Sequence, residues 1–376
     1  MDGEGVERDS RPVAAIFRSP LFNASETFVQ THAASLRRYR PLVVGLEEKG
    51  GVWPELSERV LVAGAGEAVA LRLLGLAGPL ARRVAAERPR LVHAHFATDG
   101  LLALPLAERL GVPLVTTLHG FDVSRSRAAL LGSGRLSWVR YALAGGRLRR
   151  RGALFLAVSD AIRAKALAAG FPPERLVTHR NGVDLARFAA RAEAEPGLVL
   201  HVGRLVEKKG TALLLEAMAA IAGRLVVIGD GPLRAQLERQ AGPLGERVRF
   251  LGNLPPDEVG RWMARAWVLA APSVTARDGD SEGLPTVVAE AAAASLPVVV
   301  SDHSGLPEAV VEGETGFIVP EGDSAALARA LTDMLAFPEV RARMAGAARA
   351  LAEERFDSAK QAAGLERLYD KVAGCA

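Results

Sequence analysis

The sequence lacks the features that define several large classes of protein. It has one cysteine, Cys375, so a disulfide framework and a cysteine-based zinc site are excluded and a reducing cytoplasm is favoured. The first residues, MDGEGVERDSRP, are acidic and polar, whereas an export signal begins basic and continues apolar. No stretch has the roughly 18 to 20 uninterrupted apolar residues of a membrane span. The nearest, 284–300, contains Glu290 and two prolines. We therefore expect a cytoplasmic protein that does not cross a membrane.

Length and charge indicate two domains of different electrostatic character. The 376 residues, 49% of them hydrophobic, suffice for two domains of roughly 150 residues or more. The net charge of +4 divides into +10 over residues 1–190 and −6 over residues 191–376. This asymmetry suggests that the first half meets an anionic surface, a lipid phosphate or a nucleic acid. Ordinary surface arginines explain the same excess.

Short β-branched or apolar runs alternate with longer stretches rich in alanine, leucine and arginine. The runs are 13–17, 41–46, 91–95, 113–119 and 154–158 in the first half, and 197–203, 224–230, 248–252, 267–273 and 296–302 in the second. Near-continuous apolar strands joined by helices predict parallel sheets covered on both faces. The polar stretch 187–199 is the natural domain boundary. We predict an α/β fold of two doubly wound Rossmann-like domains, residues 1–190 and 191–355, facing each other across a cleft.

The strongest chemical signal is SEGLPTVVAE, residues 281–290. Pro285 suits the first turn of a helix, so Gly283 and Leu284 lead into a helix N-terminus. Free N–H groups and the helix dipole there favour an anion such as a diphosphate. Glu282 precedes this helix and Glu290 lies inside it. One carboxylate can therefore reach the reacting end of a ligand, while the other accepts two hydrogen bonds from a vicinal diol such as a ribose.

A second signal is HVGRLVEKKG, residues 201–210, where a strand ends at Gly203 and a basic loop follows. Arg204 and Lys209 in this loop can neutralise a diphosphate, so a leaving group stabilised by them needs no metal ion. The Gly-x-x-x-x-Gly-Lys-Ser/Thr spacing of a Walker loop is missing.

Together these motifs resemble the retaining family-4 glycosyltransferases of GT-B fold. The resemblance covers roughly residues 12–365. It rests on five motifs in order, which are His119-Gly120, Asn181-Gly182-Val183-Asp184, the 203–210 run, Gly229-Asp230-Gly231-Pro232, and the Glu282/Glu290 pair. Within the family, the segments 21–36 and 93–100 resemble the branch that builds colanic-acid- and amylovoran-type exopolysaccharides.

The resemblance implies a role for each matching residue. Arg204 and Lys209 would hold the donor diphosphate, Glu290 the ribose and Glu282 the donor sugar, with His119 near the reacting carbon and the backbone of Gly283 and Leu284 completing the donor site. For the acceptor we predict contacts from Ser25, Glu26, His95 and Asp122, in the N-terminal, acceptor-binding domain. Residues 191–355 would form the donor-binding domain, and the helical segment 356–376 would cross back to the first domain. In place of the usual glycine-rich first loop, this sequence has SPLFNASET, residues 19–27.

The implied reaction moves a sugar from a nucleotide-diphosphate sugar to an acceptor hydroxyl with retention of configuration. We favour same-face substitution through an oxocarbenium-like state, because no residue is assignable as a nucleophile beneath the anomeric carbon. We expect no metal ion or other cofactor, because Arg204 and Lys209 can neutralise the departing diphosphate. The Asp278-Gly279-Asp280 sequence imitates the Asp-x-Asp metal motif, but Asp and Gly are common turn residues. His93 and His95 share one strand face, and the sequence indicates no third metal ligand beside them.

An arginine-rich stretch suggests where an acceptor is met. Six arginines are interleaved with apolar residues, namely Arg135, Arg140, Arg147, Arg149, Arg150 and Arg151. Such a stretch suits an interfacial helix on anionic lipid, where a lipid-linked acceptor is found, so peripheral contact with the inner face of the cell membrane is a hypothesis. A helix packed on the core explains the same residues.

Three other functions stay open at this stage. A nucleotide-sugar epimerase or hydrolase would use the same fold without an acceptor. A nicotinamide-dependent dehydrogenase is disfavoured, because the Gly-x-Gly-x-x-Gly fingerprint is absent after the first strand. A nucleic-acid-binding protein would explain the basic half but not Glu282, Glu290 or the acidic half, so we expect no nucleic acid partner.

Overall fold

All ten predicted apolar runs form strands in the computed structural model, which describes residues 9–23, 26–188 and 193–374. The strands of the first half are β1 (Val13–Phe17), β2 (Arg40–Gly45), β3 (Val60–Val62), β4 (Pro89–His95), β5 (Leu114–Leu118), β6 (Leu154–Ala157) and β7 (Leu176–Thr178). Those of the second half are β8 (Leu198–Val202), β9 (Arg224–Ile228), β10 (Val248–Gly252), β11 (Val268–Ala271), β12 (Val298–Ser301) and β13 (Gly316–Val319).

The strands form two sheets, and neighbouring strands in both are parallel. The order is β3-β2-β1-β4-β5-β6-β7 in the first sheet and β10-β9-β8-β11-β12-β13 in the second. In each sheet the first three strands follow one another outward to one edge, and the fourth strand returns to the other side of the first. This is the doubly wound arrangement, whose ligand crevice lies at the carboxyl ends of the strands where the order reverses. The prediction of two doubly wound Rossmann-like domains is confirmed.

Helices cover the sheets because their apolar faces pack against the β-branched strands. Those of the first half are α1 (Thr27–Ser35), α2 (Ala65–Val69), α3 (Gly78–Ala85), α4 (Ala97–Leu110), α5 (Phe121–Ser124), α6 (Arg127–Leu131), α7 (Leu136–Arg151) and α8 (Asp160–Ala168). Those that follow are α9 (Thr211–Ala219), α10 (Arg234–Ala241), α11 (Pro256–Arg265), α12 (Thr286–Ala293), α13 (Ser324–Ala336), α14 (Pro338–Arg355) and α15 (Ser358–Ala373). A π-helical turn, Ala70–Leu74, continues α2. Short 3₁₀ turns lie at Pro54–Arg59, Pro173–Arg175, Leu185–Phe188, Glu207–Lys209, Gly242–Arg247 and Leu306–Ala309. None of these described helices is long and apolar enough to span a bilayer.

The two halves are joined by apolar packing as well as by the chain. One buried cluster includes Leu118 and Val158 from the first sheet together with Leu284 and Leu306 from the second half. The predicted boundary at 190 and 191 falls within 189–192, outside the described residues. The division of the chain at that point stays a prediction.

The last helix, α15, packs against the first sheet and α1. The Glu366 carboxylate accepts hydrogen bonds from the backbone N–H groups of Arg37, Arg38 and Tyr39, at 2.8, 2.7 and 3.1 Å. One turn further on, Tyr369 is fully buried. These contacts attach the end of the chain to its first half.

Candidate active site between the two sheets

The carboxyl ends of the two sheets meet at a pair of glycines. Gly283 lies so close to the loop after β5 that a Cβ atom on it would be 2.0 Å from the carbonyl oxygen of His119. Gly120, in the facing loop, has φ of 141°, which a residue with a side chain rarely adopts, and an added Cβ would lie 3.0 Å from Ser281 O. The predicted residues His119 and Gly283 are therefore neighbours across the cleft.

Glu282 is buried and lies between two lysines. Lys209 Nζ is 3.1 Å from Glu282 Oε1, and Lys208 Nζ is 3.8 Å from the same atom. Burial acts to raise the pKa of Glu282, but the charges of Lys208 and Lys209 outweigh it and lower this pKa to about 2. Glu282 is therefore ionised at neutral pH, and two cations are concentrated at the cleft.

Lys208 is a site residue that the sequence analysis missed. It also pairs with Asp280, whose carboxylate is 3.3 Å from Lys208 Nζ. Asp280 and Asp278 bind the guanidinium of Arg125 on the other half of the molecule, at 3.0 and 2.7 Å. Both carboxylates of Asp278-Gly279-Asp280, the sequence that resembles a metal motif, are therefore paired with protein cations. The sequence feature that could have identified Lys208 as a site residue is its position next to Lys209 in the basic loop.

The segment before α12 presents backbone donors. The helix begins at Thr286, with Pro285 directly before it rather than within its first turn. Among the described residues, the N–H groups of Gly283 and Leu284 have no hydrogen-bond acceptor. They directly follow Glu282, whose side chain the two lysines contact, so one short segment combines the donors and the cations that an anion site requires.

Glu290, on α12, lines a cavity that spans the cleft. Its lining includes Thr27 and Phe28 of α1 and Arg187 from the first half, and Thr286 and Glu290 of α12 from the second. Burial raises the pKa of Glu290 to about 7, and the charges of Arg187 and Lys209 oppose this increase. A carboxylate that is protonated near neutral pH in the free protein can become ionised when hydroxyl donors reach it.

Arg204 differs from the lysines in being exposed and without an ion-pair partner in the described part of the chain. Its loop lies against the loop after β9, where Gly229 has φ of 134° and an added Cβ would lie 2.0 Å from Gly203 O. The predicted Gly229-Asp230-Gly231 motif thus serves close backbone packing beneath Arg204. The guanidinium is left available to a ligand.

His119 is held from three sides. Its ring lies 4.5 Å from the ring of Phe28 and 4.5 Å from that of Phe96, between centroids. The Asp122 carboxylate accepts the N–H groups of Ala97, His119 and Gly120, at 2.9, 3.2 and 2.9 Å. Burial raises the pKa of Asp122, and these hydrogen bonds oppose the increase. Asp122 therefore fixes the loop that carries His119.

The predicted acceptor residues have partners within the protein. Glu26 binds the guanidinium of Arg18 at 2.7 and 2.8 Å, and Arg18 also donates to Asp99 at 2.6 Å. His95 is 2% exposed, and both of its ring nitrogens have partners. Ser25 lies outside the described residues. Acceptor contact stays a prediction for Ser25, Glu26, His95 and Asp122, and the observed contacts do not support it for the last three.

A third histidine lies beside His93 and His95. It is His32, on α1, and its Nδ1 is 2.9 Å from His95 Nε2. One nitrogen from each of the three rings falls within 4.8 Å of the others. The sequence analysis had found no third partner because α1 is distant from β4 along the chain.

The two doubly wound sheets and the cations between their carboxyl ends define an α/β protein with an anion site in its cleft, and comparison with known families identifies the family. Residues 26–187 match the family described as Glycosyltransferase Family 4, and residues 183–351 match Glycosyl transferases group 1. The chain belongs to this glycosyltransferase family, and its fold is GT-B.

Relatives of the predicted exopolysaccharide branch are found. The chain is 38% identical over 255 residues to WcaL of Salmonella typhimurium, named for colanic acid biosynthesis, covering 64% of this chain and 60% of that protein. It is 33% identical over 291 residues to the amylovoran biosynthesis glycosyltransferase AmsK of Erwinia amylovora, covering 74% and 69%. The chain thus spans less than two thirds of the WcaL length. The crystal structure of Anabaena HepE with UDP and glucose superposes with a TM-score of 0.77, at 23% identity, over 94% of this chain and 98% of that one.

Proposed function

We propose that this protein transfers a sugar from a nucleotide-diphosphate sugar to an acceptor hydroxyl. The observation that carries the proposal is the buried Glu282 with Lys208 and Lys209 beside free backbone donors, facing His119 across the cleft. Cations and N–H groups are what a departing diphosphate needs for stabilisation. Relatives named as glycosyltransferases support the same reading.

In the proposed site, Lys209 and Arg204 neutralise the diphosphate. Lys209 pairs with Glu282 in this structure. A bound diphosphate would also attract Lys209 and weaken that ion pair, so Glu282 could accept hydrogen bonds from donor-sugar hydroxyls. Glu290 would accept the two ribose hydroxyls. HepE was crystallised with UDP and with UDP-glucose, which supports a nucleotide-sugar donor without identifying the base used here.

We propose retention of configuration by substitution on one face of the sugar. The bond from the anomeric carbon to the diphosphate oxygen breaks, and a bond to the acceptor oxygen forms on the same face. The departing phosphate oxygen takes the acceptor proton, so no protein base is required. Lys208, Lys209 and Arg204 supply positive charge at the leaving group, so we propose that transfer proceeds without a metal ion.

The donor half of the proposal is tested by thermal shift with UDP, GDP and ADP and their sugars, in chelator. We expect selective stabilisation by one diphosphate family, and a much smaller shift for Glu290→Ala. The control is Glu354→Ala, because the Glu354 side chain is 73% exposed on α14. Absence of a shift with every nucleotide would remove the main support for the proposal.

The transfer itself is tested by incubating the identified donor with saccharide and lipid-linked acceptors. The anomeric configuration of the product, read by NMR coupling constants, is expected to equal that of the donor. An inverted product would contradict retention. Activity that disappears with chelator and returns with a divalent cation would contradict metal independence.

We further propose that the acceptor is a lipid-linked saccharide or polysaccharide precursor, met at a membrane surface. The names of WcaL and AmsK support a polysaccharide product. The first domain also has an exposed apolar patch, made of Leu73, Leu74, Leu76, Leu136 and Leu143, which are 55 to 70% exposed. Arg140 connects its two segments by donating to the carbonyls of Leu71 and Arg72. Apolar side chains among arginines suit an anionic lipid surface.

Several of the arginines predicted to face the membrane have protein partners. Arg147 and Arg151 bind Glu108, and Arg135 stacks on the ring of Trp138. The leucines are therefore the better test. Co-sedimentation with anionic vesicles should be lost in Leu73→Asp/Leu74→Asp and retained in Leu167→Asp, an exposed leucine of α8. Equal binding by both variants, or no binding by the wild type at low salt, would refute docking through this patch.

A further inference from the structure

A continuous chain of hydrogen bonds runs from the interior of the first domain to His119. In order, its members are Thr117, His93, Tyr369, His32, His95 and His119. The five links measure 2.7, 2.5, 2.9, 2.9 and 3.0 Å in that order. Four structural elements and the loop after β5 contribute, since the residues lie on β5, β4, α15 and α1 and in that loop.

The imidazoles of the chain are neutral. Burial lowers the pKa of His32 to about 3 and the pKa values of His93, His95 and His119 well below the ordinary range. A neutral imidazole has one donor and one acceptor nitrogen. Among the described residues, the Tyr369 hydroxyl has no partner other than His93 and His32, so it donates to one and accepts from the other. Each link therefore fixes the next, and the whole chain has only two directions.

The end of the chain decides between these directions. Thr117 is 4% exposed, and its hydroxyl has no hydrogen-bond partner other than His93 among the described residues. If His93 donated to Thr117, the hydroxyl hydrogen would have no acceptor among the described residues, which costs about 1 to 3 kcal/mol. Thr117 therefore donates to His93 Nε2, and every later member donates toward His119.

We propose that this chain holds His119 with its proton on Nδ1, so that the ring presents an N–H donor to the cleft. His119 Nε2 accepts from His95, and Nδ1 has no partner among the described residues. Tyr369, His32 and His95 are thus positioning residues for His119. The benefit to catalysis rests on the proposed function, because the donor would serve a sugar hydroxyl or the departing phosphate.

A metal ion at His32, His93 and His95 fits the geometry less well. A ligating imidazole places the ion near its ring plane, but the rings of His93 and His95 are stacked, with centroids 5.0 Å apart and planes inclined by 13°. Two stacked rings cannot both have one ion near their planes. In addition, every ring nitrogen of these three residues already has a hydrogen-bond partner within this chain.

The test is ¹⁵N NMR of the imidazole rings in the full-length protein, which has seven histidines. The proposal requires the Nδ1–H tautomer at His32, His93, His95 and His119, a form less common than Nε2–H for histidine in water. Single His→Asn variants assign the signals. An Nε2–H tautomer at His119 in the wild type would overturn the proposal, as would one zinc ion per chain by metal analysis that is lost in His32→Asn.

Two substitutions break the chain without changing the shape of its surroundings. Thr117→Val removes the terminal donor, and Tyr369→Phe removes the central hydroxyl. We expect His32, His95 and His119 to become tautomer mixtures together in Tyr369→Phe. The controls are Thr116→Val, which removes a neighbouring buried hydroxyl outside the chain, and Tyr39→Phe, which removes the hydroxyl that donates to Asp370. Unchanged tautomers in both test variants would refute the proposal.

Kinetics separate a positioning role from a general structural one. With the donor identified, we expect kcat to fall about tenfold in Tyr369→Phe and in Thr117→Val while the Kd of the nucleotide diphosphate changes less than twofold. Thr117→Ser should restore both the tautomers and kcat. If the tautomers are as predicted but the protein transfers no sugar, the proposed function is refuted while the proposal for the hydrogen-bond chain still holds.

Discussion

Glu290 should make the protein less stable as the pH rises, and replacing it should remove that effect. Above pH 4.5, the ordinary pKa of glutamate, the unfolded chain loses this proton, but the folded protein keeps it until about pH 7. Folding therefore takes up a proton between these values, and the free energy of unfolding falls as the pH rises from 4.5 to 7. Glu290→Gln is neutral at every pH and has the same shape.

The magnitude follows from the pKa. A rise from 4.5 to about 7 corresponds to a ceiling of about 3 to 4 kcal/mol, at about 1.4 kcal/mol per pH unit. Because Glu290 is partly exposed to the cleft, solvent screening reduces the expected effect to about 1 to 2 kcal/mol. Glu290→Gln should therefore exceed the wild type by this amount at pH 8 and by less than half of it at pH 5, where the folded protein still holds the proton that the unfolded chain has largely lost.

Urea unfolding at pH 5 and pH 8 measures both values, with Glu354→Gln as the exposed control. The reasoning is refuted if the stability difference between Glu290→Gln and the wild type is the same at the two pH values. A second readout is ligand binding. Because an ionised carboxylate accepts ribose hydroxyls best, nucleotide diphosphate should stabilise the wild type more at pH 8 than at pH 6. This pH dependence should be smaller in Glu290→Gln, where only the terminal phosphate of the ligand still titrates in that range.

Three further predictions concern the charges and the close contact of the cleft. Arg18→Met leaves Asp99 buried without its cation and should cost about 3 to 5 kcal/mol in urea unfolding. Lys209→Met should cost less, about 2 kcal/mol, because Lys208 remains near Glu282, and it should abolish the thermal shift by nucleotide diphosphates. Gly283→Ala forces the two loops apart and should lower the transfer rate about 100-fold.

Each of these has an outcome that contradicts it. Arg18→Lys should recover part of the lost stability, and equal losses for lysine and methionine would show that packing rather than charge is responsible. A normal thermal shift in Lys209→Met would place the diphosphate elsewhere. For Gly283→Ala, the matched control is Gly346→Ala, at a glycine of α14 with an ordinary helical backbone and open space around its Cβ position, and equal loss of activity in both would contradict the steric argument.

The ten strands found from the sequence were those with long apolar runs, and the three that were missed are β3, β7 and β13. Each of the three lies at the edge of its sheet. They have three or four residues, and most of their side chains are partly exposed. An edge strand buries fewer side chains, so its sequence has a weaker apolar pattern. The fold was predictable because the buried strands alone define the doubly wound arrangement.

The same reasoning explains which parts of the site were predictable. Glu282, Gly283 and Glu290 belong to one short segment, so local spacing was sufficient to group them. The association of His32 with Tyr369 joins residues 337 positions apart, and no local pattern indicates it. Glu26 was read as an acceptor contact because its partner, Arg18, was not recognised as a buried cation.

Because α15 packs against the first domain, the two halves of the sequence are not equally independent structural units. The second sheet is built from one continuous stretch, whereas the first domain needs the last helix to satisfy the backbone of Arg37 to Tyr39 and to supply Tyr369. Exchange of the second domain between relatives, in nature or in the laboratory, must therefore keep the final helix with the first domain. A chimera that joins the segment after Arg355 from another parent would replace a part of the first domain's interior.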